Sequence, residues 1–466
     1  MIRSEMKYYI VTLGCQMNMS DSERTRAVIE SMGYQPAERE EEAGLLGVLA
    51  CSVRQKAIDK VYSRIHKWNR LKNSRHLLTF VTGCILPDDR KRFLKMFDMV
   101  FPMSELHELP DMIKQYGVTG PVSHHGRSQI PPSGPSANKT ATALGADLKL
   151  NEHLAGFWQT EPLYQSGFEA FVPIQNGCDK FCTFCAVPYT RGREISRPSE
   201  EILREVRNLI ESEYKSITLL GQNVNSYGLD KKGEELGFAE LLKEIGEMGN
   251  ISGKEFRVYF TSPHPRDMKD DVIRTIAAYT CLAKQIHLPI QSGDDGVLSR
   301  MNRKHTVEDY RQIVQSIRKL LPQATLFTDI IVGFTGETDA QFENTRKIFE
   351  EFRFNMAYIA QYSPRPGARS SVWQDDIPPQ IKKKRFHTLS GDLMRYALEN
   401  NKQMVGNIYR ALVRAKDRKE GWLDGLTEGR INVRIPSDDE SLIGTMRDVR
   451  ITAASEFVVT GEIVRD

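Results

Sequence analysis

The fold is decided by the stretch Ile174-Gln-Asn-Gly-Cys178-Asp-Lys-Phe-Cys182-Thr-Phe-Cys185-Ala-Val-Pro188, which carries three closely spaced thiols. Soft thiolates select iron-sulfur clusters, zinc or copper. A closed zinc site or an electron-transfer cluster usually has four protein ligands. Three thiolates with no fourth cysteine nearby therefore predict a cluster with one open iron, and a structural zinc site is the alternative.

The C-x3-C-x2-C spacing of Cys178, Cys182 and Cys185 resembles the signature of radical S-adenosylmethionine (SAM) enzymes. This resemblance implies a 4Fe-4S cluster whose open iron binds the amino and carboxylate groups of SAM. The three cysteines are thus candidate metal ligands and catalytic residues.

Composition sets the broad class of protein. A chain of 466 residues predicts two to four domains, because single cores stop growing near about 250 to 300 residues. The chain has no apolar run of about 18 residues and its N-terminus lacks the apolar core of a signal peptide, so we expect a cytoplasmic protein with no membrane partner. The odd number of cysteines, 7, favours metal ligation over a disulfide framework. The net charge of +3 requires any nucleic-acid contact to come from a local basic face.

The N-terminal part, residues 1–118, predicts a Rossmann-like α/β domain that repeats one arrangement. Three predicted strands, Lys7 to Thr12, Leu45 to Leu49 and Leu77 to Val81, each lead to a cysteine, and Ser20 is expected to cap the first helix. Ligand sites of parallel sheets form beyond the carboxyl ends of the strands. Cys15, Cys51 and Cys84 are therefore predicted to converge, and three separate core thiols are the alternative.

Residues 119–167 are predicted to be a linker. They include the stretch Pro131-Pro-Ser-Gly-Pro135, whose composition is typical of loops. His124 and His125 lie just before it and are interpreted as a solvated pair, with metal binding as the other interpretation.

Residues 168–400 alternate strand and helix patterns, which predicts a partial (βα)6 barrel with a parallel sheet. Its catalytic face should be formed by the loops that follow the strands. The predicted strands are Ala170 to Gln175, Ser216 to Gly221, Phe256 to Phe260, Gln285 to Ile290, Leu326 to Val332 and Ala357 to Tyr362. Polar or glycine residues near their ends are the candidates for binding the cofactor: Gln222, Asn223, Ser262, Gln291, Asp329 and Gly333.

Residues 401–466 predict a small C-terminal β-barrel, because short β-rich runs alternate with glycine and charged turns. Its basic residues would suit contacts with phosphates, although a merely solvated charged face is the alternative. These residues are Arg410, Arg414, Lys416, Arg418, Arg430 and Arg434.

Over nearly its whole length the chain resembles the radical SAM methylthiotransferases, and its last segment resembles the RNA-binding TRAM domain. The motifs that carry the resemblance are Thr12-Leu-Gly-Cys15-Gln-Met-Asn18, Cys51-Ser-Val-Arg54, Thr82-Gly-Cys84, Tyr189-Thr-Arg-Gly-Arg-Glu-Ile-Ser-Arg197 and His287-Leu-Pro-Ile-Gln-Ser-Gly293, beside the central cysteines. The segment Leu219-Leu-Gly-Gln-Asn-Val-Asn-Ser-Tyr-Gly228 is similar to the branch that acts on N6-isopentenyladenosine in tRNA.

The resemblance implies two 4Fe-4S clusters, SAM as methyl donor and radical source, and a methylthio group inserted at carbon 2 of the adenine at position 37. Cys15, Cys51 and Cys84 would hold the second cluster and would thus be metal ligands and catalytic residues too. The implied partners are a tRNA anticodon stem-loop, an electron donor of flavodoxin or ferredoxin type, and a sulfur or cluster donor. Related branches act on threonylcarbamoyladenosine in tRNA or on an aspartate of a ribosomal protein, and a zinc-stabilised RNA-binding protein is an alternative from another class.

Three positions depart from the expected pattern. Leu49 and Ala50 stand where the family commonly has Asn and Thr, so the hydrogen bonding around Cys51 is open, and Thr335 replaces a usual Pro. Cys281 matches no ligand position and is predicted to be a core thiol.

Overall fold

The N-terminal sheet positions the first cysteine group. In a computed structural model, which describes residues 6–52, 55–116 and 154–464, five parallel strands have the order β2-β1-β3-β4-β5. The elements are β1 (Lys7–Thr12), α1 (Gln16–Ser31), β2 (Gln35–Pro36), β3 (Leu45–Cys51), α2 (Gln55–Leu71), β4 (Leu78–Cys84), α3 (Pro87–Phe93), β5 (Met99–Val100) and α4 (Leu109–Gln115), with 3-10 turns at Glu40–Glu42 and Met103–Glu108. All seven residues of β3 are buried, because helices cover both faces of a parallel sheet.

The first helix begins earlier than predicted. Helix α1 starts at Gln16, and Cys15 occupies the N-cap position in extended backbone, so the prediction of Ser20 as the cap is wrong. Ser20 is buried within the helix, and its hydroxyl donates to the Phe171 carbonyl oxygen at 3.2 Å. The residue therefore links the N-terminal domain to the next one.

The predicted linker is described only from residue 154 onward, so His124, His125 and the proline-rich stretch lie outside the described residues. Within it, α5 (Leu154–Gln159) packs Leu154, Phe157 and Trp158 into the N-terminal core. The domain limits given above stay predictions.

The central domain is an arc of six parallel strands. Two three-stranded sheets, β6-β9-β10 and β11-β12-β13, are joined by a parallel bridge between Val258 and Leu282. The strands are β6 (Glu169–Pro173), β9 (Ser216–Leu220), β10 (Arg257–Phe260), β11 (Gln285–His287), β12 (Thr325–Val332) and β13 (Met356–Gln361), which match the six predicted segments. A short pair, β7 (Gln175–Asn176) and β8 (Ile195–Ser196), flanks the cysteine loop. The partial barrel predicted from the sequence is confirmed.

Helices surround this arc and bury its outer face against one continuous apolar core. They are α6 (Val187–Arg191), α7 (Ser199–Glu211), α8 (Phe238–Ser252), α9 (Asp270–Ala278), α10 (Asp295–Arg300), α11 (Val307–Leu320), α12 (Asp339–Phe352) and α13 (Pro379–Lys402), with 3-10 turns at Val224–Ser226, Leu229–Lys231, Pro265–Asp267 and Arg369–Val372. Cys281 is buried in this core, in agreement with its interpretation as a core thiol. No helix in the described part of the chain is long and apolar enough to span a membrane.

The C-terminal segment forms a closed five-stranded barrel with the strand order β14-β15-β16-β18-β17. The strands are β14 (Ile408–Lys416), β15 (Trp422–Thr427), β16 (Asn432–Pro436), β17 (Met446–Ala454) and β18 (Val458–Ile463), with a 3-10 turn at Glu440–Leu442. The short apolar runs predicted four of these strands, and β15 is added by the structure because its side chains alternate between buried and half-buried.

The turn between β15 and β16 docks against the starts of the central strands. The Thr325 hydroxyl donates to the Gly429 carbonyl oxygen at 2.7 Å, and the Lys284 amide donates to Glu428 Oε1 at 3.0 Å. The Arg430 guanidinium lies 4.1 Å from the centre of the Tyr259 ring. This turn therefore contacts the end of the arc opposite to the loops that follow the strands.

Candidate active site

A tight backbone crossing holds the loop of Cys178, Cys182 and Cys185. Gly177 has φ +79, and a Cβ atom there would lie 2.0 Å from the Arg193 carbonyl oxygen, so only glycine fits. The Cys178 amide donates to the Gly192 carbonyl oxygen at 3.3 Å, and the Cys185 amide donates to the Cys182 carbonyl oxygen at 3.0 Å. The three thiols are thus fixed in one loop at the C-terminal end of the arc.

The thiols of this loop need a positive partner to ionise. Burial, with a smaller contribution from the neighbouring cysteine sulfurs, raises the pKa of Cys178 and of Cys185 to about 12. One positive group is within reach, because Arg303 Nη1 lies 3.4 Å from Cys182 Sγ. An iron-sulfur cluster would supply the remaining positive charge, since thiolates are the form that binds metal. The donor set therefore fits such a cluster.

The second group of thiols forms at the carboxyl end of the N-terminal sheet. Cys51 and Cys84 are direct neighbours in the register of β3 and β4. Cys15 follows Gly14, whose φ is +126 and where a Cβ atom would lie 2.9 Å from Cys51 Cβ. The predicted convergence of the three strand ends is thus present in the structure.

The buried side chain of Asn18 fastens this second group. Its Nδ2 atom donates to the carbonyl oxygens of Leu13 at 2.6 Å and Ala50 at 2.8 Å, which joins the loop before Cys15 to the strand before Cys51. The hydrogen bonding around Cys51 therefore uses the backbone of Ala50 and not its side chain, so the missing Asn-Thr pair leaves this link intact.

Arg191, from the central domain, reaches into this second group. Its Nε atom donates to Cys84 Sγ at 3.0 Å, and its Nη2 atom pairs with the buried carboxylate of Asp21. Burial raises the pKa of Cys84 to about 12, Arg191 lowers it, and the Cys51 and Cys15 sulfurs raise it. The three thiols are therefore close enough to interact, and the donor set again consists only of sulfur.

Neither group is arranged around a single ion. Within residues 6–52, 55–116 and 154–464, no three His, Cys, Asp or Glu side chains are placed to hold one metal ion. In an iron-sulfur cluster each cysteine thiolate binds a different iron, so the cysteine sulfurs need not point at one common position. The geometry favours clusters over the zinc alternative.

Six buried polar side-chain atoms without hydrogen-bond partners belong to segments that follow the strands of the central domain. Buried side-chain atoms normally have hydrogen-bond partners, and unpaired ones mark a place for a ligand or water. The unpaired atoms here are Glu194 Oε2, Asn223 Oδ1, His264 Nε2, Gln291 Oε1, Arg303 Nε and His305 Nε2. The set includes both hydrogen-bond donors and hydrogen-bond acceptors, which suits the amino, carboxylate and hydroxyl groups of SAM.

Burial favours the uncharged forms of Glu194, His264 and His305 among these residues. It raises the pKa of Glu194 to about 7, although Ser226 and Lys180 oppose the shift. It lowers the pKa of His305 to about 4 and that of His264 further. Because their pKa values are lowered, both imidazoles are neutral near pH 7. The two rings stand edge to face with their centres 5.6 Å apart.

The structure places some of the predicted cofactor-binding residues beside the cysteine loop and gives others different surroundings. Gln222 Oε1 accepts from the Gly177 amide at 2.5 Å, and Asn223 Nδ2 donates to Asp267 at 3.1 Å, so both lie beside the cysteine loop. Gln291 has φ +78, and its amide oxygen is one of these unpaired atoms.

The other three candidates have different surroundings. Asp329 pairs with His287 at 3.0 Å, and the Tyr358 ring lies tilted against the imidazole with its centre 5.4 Å away. Ser262 and Gly333 have left-handed backbone, with φ +57 and φ +69. The Gly333 amide donates to Glu337 at 2.6 Å, on the side that faces α13.

The sequence prediction did not include Arg191, Glu194, Arg303 and His305. Arg191 and Glu194 belong to the Tyr189 to Arg197 motif, which had been quoted for its resemblance but not assigned a role. No local pattern marks Arg303 and His305, because they come to the site from the turn before α11 through tertiary packing.

The predicted basic side of the C-terminal barrel is largely engaged within the protein. Arg410 pairs with Glu255 at 2.6 Å, and Arg434 pairs with Asp417 at 3.0 Å. Arg430 packs inside the domain interface and donates to Thr218 at 2.9 Å. The interpretation of Arg430 as a phosphate contact is therefore wrong.

Comparisons with known proteins agree with this architecture. The radical SAM superfamily matches residues 172–349, the uncharacterized protein family UPF0004 matches residues 7–102, and the TRAM domain matches residues 402–464. The tRNA-2-methylthio-N(6)-dimethylallyladenosine synthase of Carboxydothermus hydrogenoformans is 36% identical over 99% of this chain and 100% of that protein. The protein of the same name from Geobacter metallireducens is 37% identical over 98% of each chain.

A solved structure supports the fold alone. The radical SAM methyltransferase TsrM of Kitasatospora setae, with cobalamin and a [4Fe-4S] cluster bound, has a TM-score of 0.54 and 13% identity. The match covers 79% of this chain and 74% of that one.

Proposed function

Because the chain belongs to the family of tRNA-2-methylthio-N(6)-dimethylallyladenosine synthases, we propose that it inserts a methylthio group at carbon 2 of N6-isopentenyladenosine at position 37 of tRNA. The observation that carries this proposal is the presence of two separate three-thiol groups, joined through Arg191. One group alone would suit a radical SAM enzyme, whereas sulfur insertion needs a second place where sulfur can be held.

We propose that Cys178, Cys182 and Cys185 hold the SAM-binding cluster. Cys15, Cys51 and Cys84 would hold the second cluster. When bound, the two clusters and SAM supply the electron, the methyl group and the sulfur of the reaction. The protein contributes burial, because Cys51, Cys84 and Cys178 are each less than a tenth exposed, and burial strengthens the electrostatic interactions of the thiolates.

The proposed SAM contacts are Gln222, Asn223, Ser262, Gln291, Asp329 and Gly333, together with Glu194, His264 and His305. Support differs among them. The unpaired atoms of Asn223, Gln291, Glu194 and the two histidines provide partners for polar groups, and the left-handed backbone at Ser262 and Gly333 permits close approach of a ligand to the main chain.

The C-terminal barrel is proposed to hold the anticodon stem-loop. A base in a single-stranded loop can leave its stack at low cost and enter a protein cavity. Arg418 remains a proposed phosphate contact, together with Arg414 and Lys416, which also pair with Glu169 at 3.9 Å and with Glu440 at 2.5 Å. Arg430 instead fixes the barrel to the central domain. Electrons from a flavodoxin or ferredoxin, a sulfur or cluster donor, and a cytoplasmic location complete the proposal.

Mass spectrometry of tRNA nucleosides tests the substrate. Reconstituted protein, SAM and a reductant are incubated anaerobically with tRNA that carries isopentenyladenosine, beside tRNA that carries threonylcarbamoyladenosine. We expect the methylthio product only from the first substrate. Absence of product from both, with both clusters intact, would exclude tRNA and favour the ribosomal-protein reaction.

Cysteine variants separate the two roles. Cys51→Ala should lower the iron content by about half and abolish methylthio transfer, while 5'-deoxyadenosine still forms from SAM. Cys182→Ala should abolish both products. Cys281→Ala is the matched control, because this thiol lies in the apolar core and should leave iron content and activity unchanged.

A further inference from the structure

The side chain of Arg191 contacts residues of both cysteine regions. Its Nε atom donates to Cys84 Sγ at 3.0 Å, and its Nη1 atom donates to Asn176 Oδ1 at 3.2 Å. Asn176 immediately precedes the Gly177-Cys178 turn, and its own Nδ2 atom donates back to the Arg191 carbonyl oxygen at 3.0 Å. One side chain therefore connects a sulfur of the second group with the backbone frame of the first.

The remaining donors of Arg191 extend this connection. Its Nη2 atom donates to Asn18 Oδ1 at 3.3 Å and also pairs with Asp21. Asn18 is the residue whose amide ties Leu13 to Ala50, beside Cys15 and Cys51. The guanidinium thus contacts the network that fixes the second group, in addition to one of its sulfurs.

The surroundings make this contact electrostatically strong. Arg191 is 6% exposed and Asp21 is fully buried. Hydrogen bonds of charged groups are stronger than neutral ones, and low local polarity strengthens them further. A planar guanidinium can meet several partners in fixed directions, which a lysine ammonium cannot do.

We propose that Arg191 is a positioning residue that tunes the second cluster through the Cys84 sulfur and holds it in register with the SAM-binding loop. This inference rests on the proposed function, because it requires a cluster on Cys15, Cys51 and Cys84. A hydrogen bond to a ligating sulfur withdraws negative charge from the cluster and favours its reduced state. Loss of the bond should therefore shift the reduction potential of that cluster to a more negative value.

The test is an anaerobic redox titration of the holoenzyme, followed by electron paramagnetic resonance with and without SAM. The signal that SAM alters reports the cluster on Cys178, Cys182 and Cys185, and the signal that SAM leaves unchanged reports the other. In Arg191→Gln we expect the reduction equilibrium of the SAM-insensitive cluster to fall about tenfold, equivalent to about 59 mV for one electron. The SAM-sensitive cluster should keep its potential.

Two further variants keep the test decisive. Arg191→Gln leaves Asp21 as an unpaired buried charge, which can prevent folding. The double variant with Asp21→Asn removes both charges and should show the same negative shift. Arg193→Gln is the matched control, since this neighbouring arginine pairs at the surface with Asp179 and should leave the SAM-insensitive potential unchanged.

The outcomes separate the inference from the proposed function. Wild-type protein with only one cluster would overturn both. Two clusters with an unchanged SAM-insensitive potential in Arg191→Gln and in the double variant would overturn the role of Arg191 alone. A shift of equal size in Arg193→Gln would also overturn it, because the effect would then not depend on the contact with Cys84.

Discussion

Docking of the C-terminal barrel onto the central domain should depend on Arg430. Its guanidinium lies 4.1 Å from the Tyr259 ring centre and donates to Thr218 Oγ1 at 2.9 Å. A hydrogen bond from a charged group contributes about 1.5–3 kcal/mol, and a desolvated cation–π contact contributes about 2 kcal/mol. Because the two contacts share one side chain and do not add fully, Arg430→Ala should weaken docking by about 3 kcal/mol.

The Lys284 amide reports this docking directly. It donates to Glu428 Oε1 on the docked turn, so it loses that partner when the turn moves away. A loss of about 3 kcal/mol raises the open population roughly 100-fold. Hydrogen–deuterium exchange of the peptide that contains Lys284 should accelerate by that factor in Arg430→Ala.

A matched control lies on the same barrel. Arg434 is about half exposed and pairs with Asp417, so Arg434→Ala should leave exchange at Lys284 within about threefold of wild type. Exchange in Arg430→Ala that stays within the same limit would refute the reasoning. With the barrel in its proposed role of holding tRNA, Arg430→Ala should also raise the KM for tRNA while SAM cleavage stays unchanged.

Four more outcomes are expected. Gly14→Ala should halve the iron content, because φ is +126 there and the new Cβ atom would lie 2.9 Å from Cys51 Cβ. Gly391→Ala adds a Cβ atom in helix α13 with no other atom within 4 Å, so it should raise the unfolding free energy by about 0.5–1 kcal/mol in chemical denaturation. Arg303→Gln should lower the potential of the SAM-sensitive cluster alone, since Arg303 Nη1 lies 3.4 Å from Cys182 Sγ, and electron paramagnetic resonance checks this. Burial raises the pKa of Glu23 to about 7, so the protonated carboxyl is favoured in the folded state and stability is lost as the pH rises from about 4.5 to 7. Glu23→Gln should therefore stabilise the folded protein at pH 8 by up to about 3 kcal/mol and raise its melting temperature there. At pH 4 the same variant should change the melting temperature little. Equal effects at the two pH values would contradict this reasoning.

The six strands of the partial barrel were predictable for a local reason. Each strand is an apolar run followed by a polar residue or glycine, and that alternation repeats along the chain. All six predicted segments match strands in the structure. Helix α1 was placed too late because Ser20 fits the pattern of a cap, whereas its hydroxyl is engaged with Phe171 of the next domain.

The interface of the C-terminal barrel was not predictable in the same way. Arg430 looks like any other basic residue of that segment in the sequence. Its role depends on Tyr259 and Thr218, which lie on strands of another domain. Residue type therefore indicated a charge, and only packing decided what the charge contacts.

The sequence by itself determined the six candidate thiol ligands, their division into a loop and three strand ends, and the architecture that brings the strand ends together. Those features follow from short-range spacing and from the rule that parallel strands end on one edge of a sheet. Tertiary structure alone decided that Arg191 meets Cys84, which is 107 positions away, and that Arg303 meets Cys182, which is 121 positions away. Hydrogen bonds act over about 3 Å in space, so a partner that distant in sequence leaves no local pattern and becomes identifiable only after the chain has folded.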